Sequence, residues 1–152
     1  MANVTAVANL KNAVAYLPDG VRQIADSIMR FLPPDVIASD GAGWFTFPAI
    51  STTKQELSAT GKRPIAIIIN AHAAAAASYV QFYNNPATSV TEGVNADFTI
   101  PCSNTNGECV ALVIYGASWS RFWATGLTVA ASSASETSAA PSVPPDVYVL
   151  FA

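Results

Sequence analysis

The most regular patterning of side chains lies between Pro64 and Pro86. Residues 65–70 hold four isoleucines in five positions, and their restricted χ1 freedom favours a pleated, covered strand. In residues 78–84, Tyr79, Gln81 and Tyr83 alternate with Val80 and Phe82, so the two sets point to opposite faces of a second strand. The two are expected to pair as the central hairpin of an all-β domain. Between them runs an alanine segment broken only by His72, the strongest helix-propensity stretch in the chain. A helix over 71–83 would scatter Val80, Phe82 and Tyr83 around its axis, so the hairpin with a short link is favoured over the helix.

Further strands are expected on either side. Upstream, residues 44–47 place Phe45 and Phe47 on one face, and the weakly alternating stretch 51–59 reads as an edge strand. Downstream, 97–101 carries Phe98 and Ile100 on one face, and 109–115 sets Val110, Leu112 and Ile114 against Ala111, Val113 and Tyr115. Between them, Asn106-Gly107 supplies a hairpin signal in a loop longer than the two-residue form. Residues 122–130 align Trp123, Leu127 and Val129, with Gly126 interrupting as a bulge or close approach would. The Ser/Ala/Pro-rich segment 131–145 reads as a long surface loop or a tract ordered only in an assembly, and 146–151 as a final strand. The spacing suits a mainly β fold, a two-layer antiparallel β-sandwich over residues 35–152.

The first 34 residues follow a different period. Val7, Leu10, Val14 and Leu17 recur at helical spacing, and after Pro18-Asp19-Gly20 a second stripe follows with Val21, Ile24 and Ile28. Asp19 can cap the second helix, and Pro33-Pro34 ends it. Helices of about three turns are too short to stand alone in water, so both stripes need a partner surface. Residues 1–34 are therefore read as a helical N-terminal segment, an arm for attachment or oligomerisation. Val7, Leu10, Val14, Val21, Ile24 and Ile28 are its candidate interface.

Composition sharpens this expectation. The chain has 152 residues, 51% of them apolar and 11% charged. Average soluble domains carry about 25% charged residues, so a chain this poor in charge is expected to hide surface in an assembly. The net charge is −3 and the seven basic residues are scattered apart from Lys62-Arg63, which gives no electrostatic footprint for nucleic acid. The first residues show no basic segment ahead of an apolar core, and no apolar run is long enough for a membrane span. Synthesis and folding are expected to begin in a cytoplasm.

Candidate chemistry is sparse. His72 is the sole histidine, so any histidine-dependent base would have to be this residue; among alanines it reads as a loop histidine without a chemical role. Cys102 and Cys109 flank the Asn-Gly loop, and three readings stand: buried thiols, a disulfide formed after release into an oxidising medium, or half of a metal site. The metal reading lacks a second Cys or His pair at ligand spacing, and no cofactor is expected. No Gly-rich phosphate loop or nucleophile elbow occurs, so the chain is not expected to be an enzyme. Trp119, Arg121 and Trp123 form the most binding-like cluster, either interface anchors or, respectively, an edge cover, a solvated strand end and a core residue.

The run SYVQFYNNPATSVTEGVNADFTIPCSNTNGE resembles small structural proteins of tailed bacteriophages. In that group a Tyr-Val-x-Phe-Tyr-Asn strand precedes a Thr/Gly loop and an acidic-Phe-x-Ile-Pro strand. A small-residue aromatic strand, as in 120–131, a Thr/Ala/Ser/Pro loop and a terminal Asp-Val-x-Val strand, as in 146–149, follow. The resemblance covers about residues 61–152 and leaves the helical segment aside. It implies a sandwich or jelly-roll-like module of a virion, commonly a homotrimer that binds the major capsid protein as a cement or decoration protein. A neck, tail or fibre-base component is the neighbouring reading. A carbohydrate-binding module is the alternative from another class, resting on the sandwich and the Trp119–Trp123 cluster.

Overall fold

The computed structural model describes residues 19–31, 43–47, 50, 53–61, 64–113 and 125–151. They form one α-helix, α1 (Asp19–Phe31), a 3-10 turn (Ala87–Ser89) and eight strands: β1 (Gly43–Phe47), β2 (Gln55–Ser58), β3 (Pro64–Asn70), β4 (Ser78–Tyr83), β5 (Phe98–Cys102), β6 (Cys109–Val113), β7 (Leu127–Ser132) and β8 (Asp146–Phe151). The strands make two four-stranded sheets, ordered β1-β8-β3-β6 and β2-β7-β4-β5. Every pairing is antiparallel. The fold is mainly β, an antiparallel sandwich with an N-terminal helix.

Four of the pairings, β1–β8, β2–β7, β3–β6 and β4–β5, are those of a single long ribbon whose arms are β1 to β4 and β5 to β8. Bending that ribbon double adds the β3–β8 and β4–β7 pairings and deals successive strands alternately to the two sheets. Only the β4–β5 connection stays within one sheet.

The expected β3–β4 hairpin is therefore not formed. Both strands exist at nearly the expected bounds, but β3 lies in the first sheet and β4 in the second. The alanine run between them is neither a hairpin turn nor a helix. Residues 71–77 cross from sheet to sheet beside the other crossover, 103–108. Ala71 N donates to Glu108 O (2.8 Å), Gly107 N to Ala71 O (2.9 Å) and Ala74 N to Asn104 O (3.2 Å). Those bonds claim backbone groups that a helix would need, and tertiary pairing outweighs alanine's advantage of a few tenths of a kcal/mol per residue. The Asn-Gly signal at 106–107 likewise marks a real turn, with Gly107 at φ +80°, but it joins strands of different sheets.

The inner faces follow the expected alternation. Ile67 and Ile69 of β3 and Val147 and Val149 of β8 meet Val80 and Phe82 of β4 and Leu127 and Val129 of β7 in one buried cluster. Phe82 and Phe98 are cross-strand partners whose rings stack with centroids 4.8 Å apart, a favourable aromatic pair. Gly126 is a close approach, as its sequence position implies. A Cβ there would stand 2.8 Å from Pro86 N and 3.0 Å from Ser58 O, beside the register shift in β2.

Helix α1 lies against β3 and β6. It buries Val21 and Ala25 on the outer face of the first sheet, where Ala66 and Ile68 are also buried. Asp19 begins the helix and pairs with Arg22 at 2.6 Å, an exposed ion pair that contributes little. Part of the second apolar stripe is thus spent inside the chain: Val21 is buried and Ile24 half-buried. The side chain of Ile28, and Val7, Leu10, Val14, Trp119, Arg121 and Trp123, lie outside the described residues.

Candidate functional site

Polar side chains concentrate on the outer face of the second sheet. Alternation along β4 sends Tyr79, Gln81 and Tyr83 there, opposite the core-facing Val80 and Phe82. An outer face would ordinarily be wet, yet Gln81 is fully buried and Tyr83 nearly so. Two long connections cover them: residues 84–97 between β4 and β5, and residues 133–145 between β7 and β8.

Gln81 ties the two loops together. Its Nε2 donates to Ser135 O (3.0 Å) and Thr137 O (3.1 Å) in one loop. Its Oε1 accepts from Tyr83 OH (2.7 Å) and from Gly93 N (3.2 Å), which belongs to the other. Gly93 N also lies 2.8 Å from Tyr83 OH. Both amide protons and the carbonyl of Gln81 are engaged, which offsets the cost of burying them. The same environment perturbs Tyr83: burial pushes its phenol up, the bond from Gly93 N–H opposes this, and the Glu92 carboxylate adds to the rise.

A second set of bonds fixes loop 84–97 to its surroundings. Lys54 Nζ donates to Val90 O (2.5 Å), and Glu56 Oε2 accepts from Ala87 N (2.7 Å). Asp97 Oδ2 accepts from Asn84 N (2.5 Å), Thr128 Oγ1 donates to Asn85 O (2.8 Å) and Thr125 N donates to Asn84 Oδ1 (3.1 Å). Where the loops cross, Gly93 has φ +77° and no room for a side chain: a Cβ would stand 2.3 Å from the carbonyl carbon of Thr137. Beside this crossing opens a groove of about 540 Å³, lined by residues 93–96, Thr99, Ser135 and Glu136.

The residues singled out from sequence stand elsewhere. His72 Nε2 is 3.0 Å from Asp146 Oδ2, so the loop histidine is a partner of the first residue of β8. Cys102 and Cys109 are free thiols in this structure. Burial pushes the Cys102 thiol up, partly opposed by a hydrogen bond with Ser78, and burial raises Cys109 as well. Both therefore favour the protonated thiol, the less nucleophilic form. Cys109 Sγ lies 3.4 Å from Asn70 Oδ1. Among the described residues no group of three or more His, Cys, Asp or Glu side chains is placed to hold a metal, and no helix is long and apolar enough to cross a membrane.

The Gln81 hub and the groove were not singled out from sequence. The available signal was an amide between two tyrosines on one face of a strand, but nothing local shows that distant loops fold over that face. No family model, curated protein or solved structure matches this chain.

Proposed function

We propose that this chain is a structural protein of a tailed-bacteriophage virion, a capsid cement or decoration protein that binds the major capsid protein without catalysis of its own. The observation that supports this reading is the strand order β1-β8-β3-β6 over β2-β7-β4-β5. That order is consistent with a jelly-roll-like winding, an architecture shared by viral shell proteins, lectins and cupins. It coincides with the phage-like motifs, which span β4, β5, β7 and β8. The bracing of loops 84–97 and 133–145 also fits a protein that docks, because a surface ordered in advance loses less entropy on binding.

On this reading the protein is made in the bacterial cytoplasm, joins the virion and acts as a homotrimer. Mixing purified protein with capsid shells that lack it, then sedimenting the shells, tests the proposal. Saturable co-sedimentation at many copies per shell is the expected result. Binding at only one vertex would place the chain at the neck or tail instead. A stable monomer with no affinity for shells would refute the reading.

A further inference from the structure

We propose that the groove beside the loop crossing is a binding site for a short, uncharged oligosaccharide. This goes beyond the shell-binding reading and does not depend on it. The groove's volume of about 540 Å³ falls within the roughly 300–1,000 Å³ of small-molecule sites. Its backbone is held on both sides by the buried Gln81, which bonds to Gly93 on one loop and to Ser135 and Thr137 on the other. A site locked in this way need not be ordered by its ligand.

The lining indicates the ligand chemistry. Asn95, Thr99, Ser135 and Glu136 contribute an amide, two hydroxyls and a carboxylate, and none of these side chains bonds to another described residue. Together they can donate to and accept from hydroxyl groups, with the planar amide and carboxylate able to span neighbouring ones. The lining contains no basic residue and one carboxylate, so an anionic ligand would be repelled. Asn95 sits at φ +52°, a left-handed conformation that asparagine adopts more readily than most residues other than glycine.

Outside the groove's lining, the same face of the sheet carries two ring-bearing residues. Thr99 is the cross-strand partner of Gln81, and the next pair on the same face is Tyr79 with Pro101. Pro101 is exposed and Tyr79 half-buried. Hydroxyl-binding groups beside ring surface match a sugar, which presents hydroxyls at its rim and C–H groups on its faces. An extended peptide fits less well. Pro101 has no N–H to offer at the edge of β5 that no other described strand pairs, which blunts strand addition there.

The test uses the full chain on an array of uncharged and sialylated glycans, followed by amide NMR titration with maltotriose, cellotriose and triacetylchitotriose. The expected result is binding to uncharged glycans, with saturable shifts at residues 93–99 and 135–137. Asn95→Gly, which keeps the left-handed backbone, and Glu136→Ala should each weaken binding about tenfold or more, as loss of a hydrogen bond to a ligand does, while leaving the melting temperature within about 2 °C of the parent. A blank array, binding confined to sialylated glycans, shifts centred elsewhere, or binding insensitive to both substitutions would overturn the assignment. A tri-lysine peptide serves as the competing probe. Saturation of the groove by this peptide but not by any sugar would show a cation site on Glu136 and would also overturn it.

Discussion

Replacing Gly93 with alanine tests whether the two loops over the second sheet are locked to each other, and Gly107→Ala supplies its control. Both glycines have a left-handed backbone, φ +77° and φ +80°. Placing alanine there costs about 1–2 kcal/mol, partly offset by about 0.4–1 kcal/mol from a stiffer unfolded chain. At Gly107 nothing lies within 4 Å of the new Cβ, so the loss stays near 1 kcal/mol. At Gly93 the Cβ would stand 2.3 Å from Thr137 C and 2.5 Å from Ser138 N. These are backbone atoms that cannot rotate aside.

Relief at Gly93 requires the loops to part by about 1 Å or more, which breaks the Gln81 bond to Thr137 O at 3.1 Å and strains the one to Ser135 O at 3.0 Å. An unsatisfied buried donor costs about 1–3 kcal/mol, bringing the total to about 2–4 kcal/mol. In a domain of this size each kcal/mol lowers Tm by about 2–4 °C, so Gly93→Ala should melt about 4–16 °C below the parent and Gly107→Ala about 2–4 °C below. Differential scanning calorimetry gives both shifts, and amide exchange across residues 133–140 should accelerate in the first variant alone. Equal melting shifts, or unchanged exchange in the Gly93 variant, would refute the claim that the loops are locked at this crossing.

Four further outcomes follow from the same contacts. Gln81→Leu strips the bonds from Ser135 O and Thr137 O beneath the loops and should cost about 2–4 kcal/mol in chemical denaturation; a loss below about 1 kcal/mol would show that the hub is dispensable. Because burial raises the Tyr83 phenol, the folded chain keeps a proton that the unfolded chain releases near pH 10. The unfolded state then binds fewer protons, and this contribution, fully present below about pH 10, is lost as pH rises. Tyr83→Phe in a Cys102→Ala, Cys109→Ala background should flatten that alkaline decline, and an unaltered curve would count against the assignment. At neutral pH iodoacetamide should label half-buried Cys109 well before Cys102, which is 3% exposed; equal rates would contradict the structure. Val21→Asp places a carboxylate where the side chain is 1% exposed, and should cost about 2–4 kcal/mol and free the α1 amides to exchange; unchanged protection would mean that α1 is not docked.

Strand positions were legible because they depend on local chemistry. The alternation over 78–84 separates Val80 and Phe82, which enter the cluster between the sheets, from Tyr79, Gln81 and Tyr83, which lie on the other face, where Tyr83 joins a smaller cluster with Val90 and Ala130, and residues 146–151 match β8 at both ends. Partner choice was not legible. A period of two states which residues share a face, but neither the strand alongside nor the sheet that holds it. The isoleucines of 65–70 and the alternating 78–84 therefore read as neighbours, although β3 pairs with β6 and β8 and β4 with β5 and β7. Helix propensity in the alanine run failed for a related reason: its backbone partners, Asn104, Gly107 and Glu108, are some thirty residues away.

The candidate site was hidden by the composition of its cover. A segment of Ser, Ala, Thr and Pro buries little apolar area, so residues 131–145 read as a loop in solvent. Small side chains instead let a backbone lie flat on a sheet, and here the backbone itself supplies the bonds: Ser135 O and Thr137 O accept from Gln81, while Ser133 N donates to Ala139 O. The backbone of 137 and 138 passes so close to Gly93 that a Cβ there would not fit. One buried amide on β4 can thus order two loops that carry little hydrophobic content. The cover's stability rests on these satisfied polar groups together with a small apolar cluster of Tyr83, Val90 and Ala130, so a single substitution at Gln81 or Gly93 should loosen both loops and leave the Ile67, Val80, Phe82 and Val149 core intact.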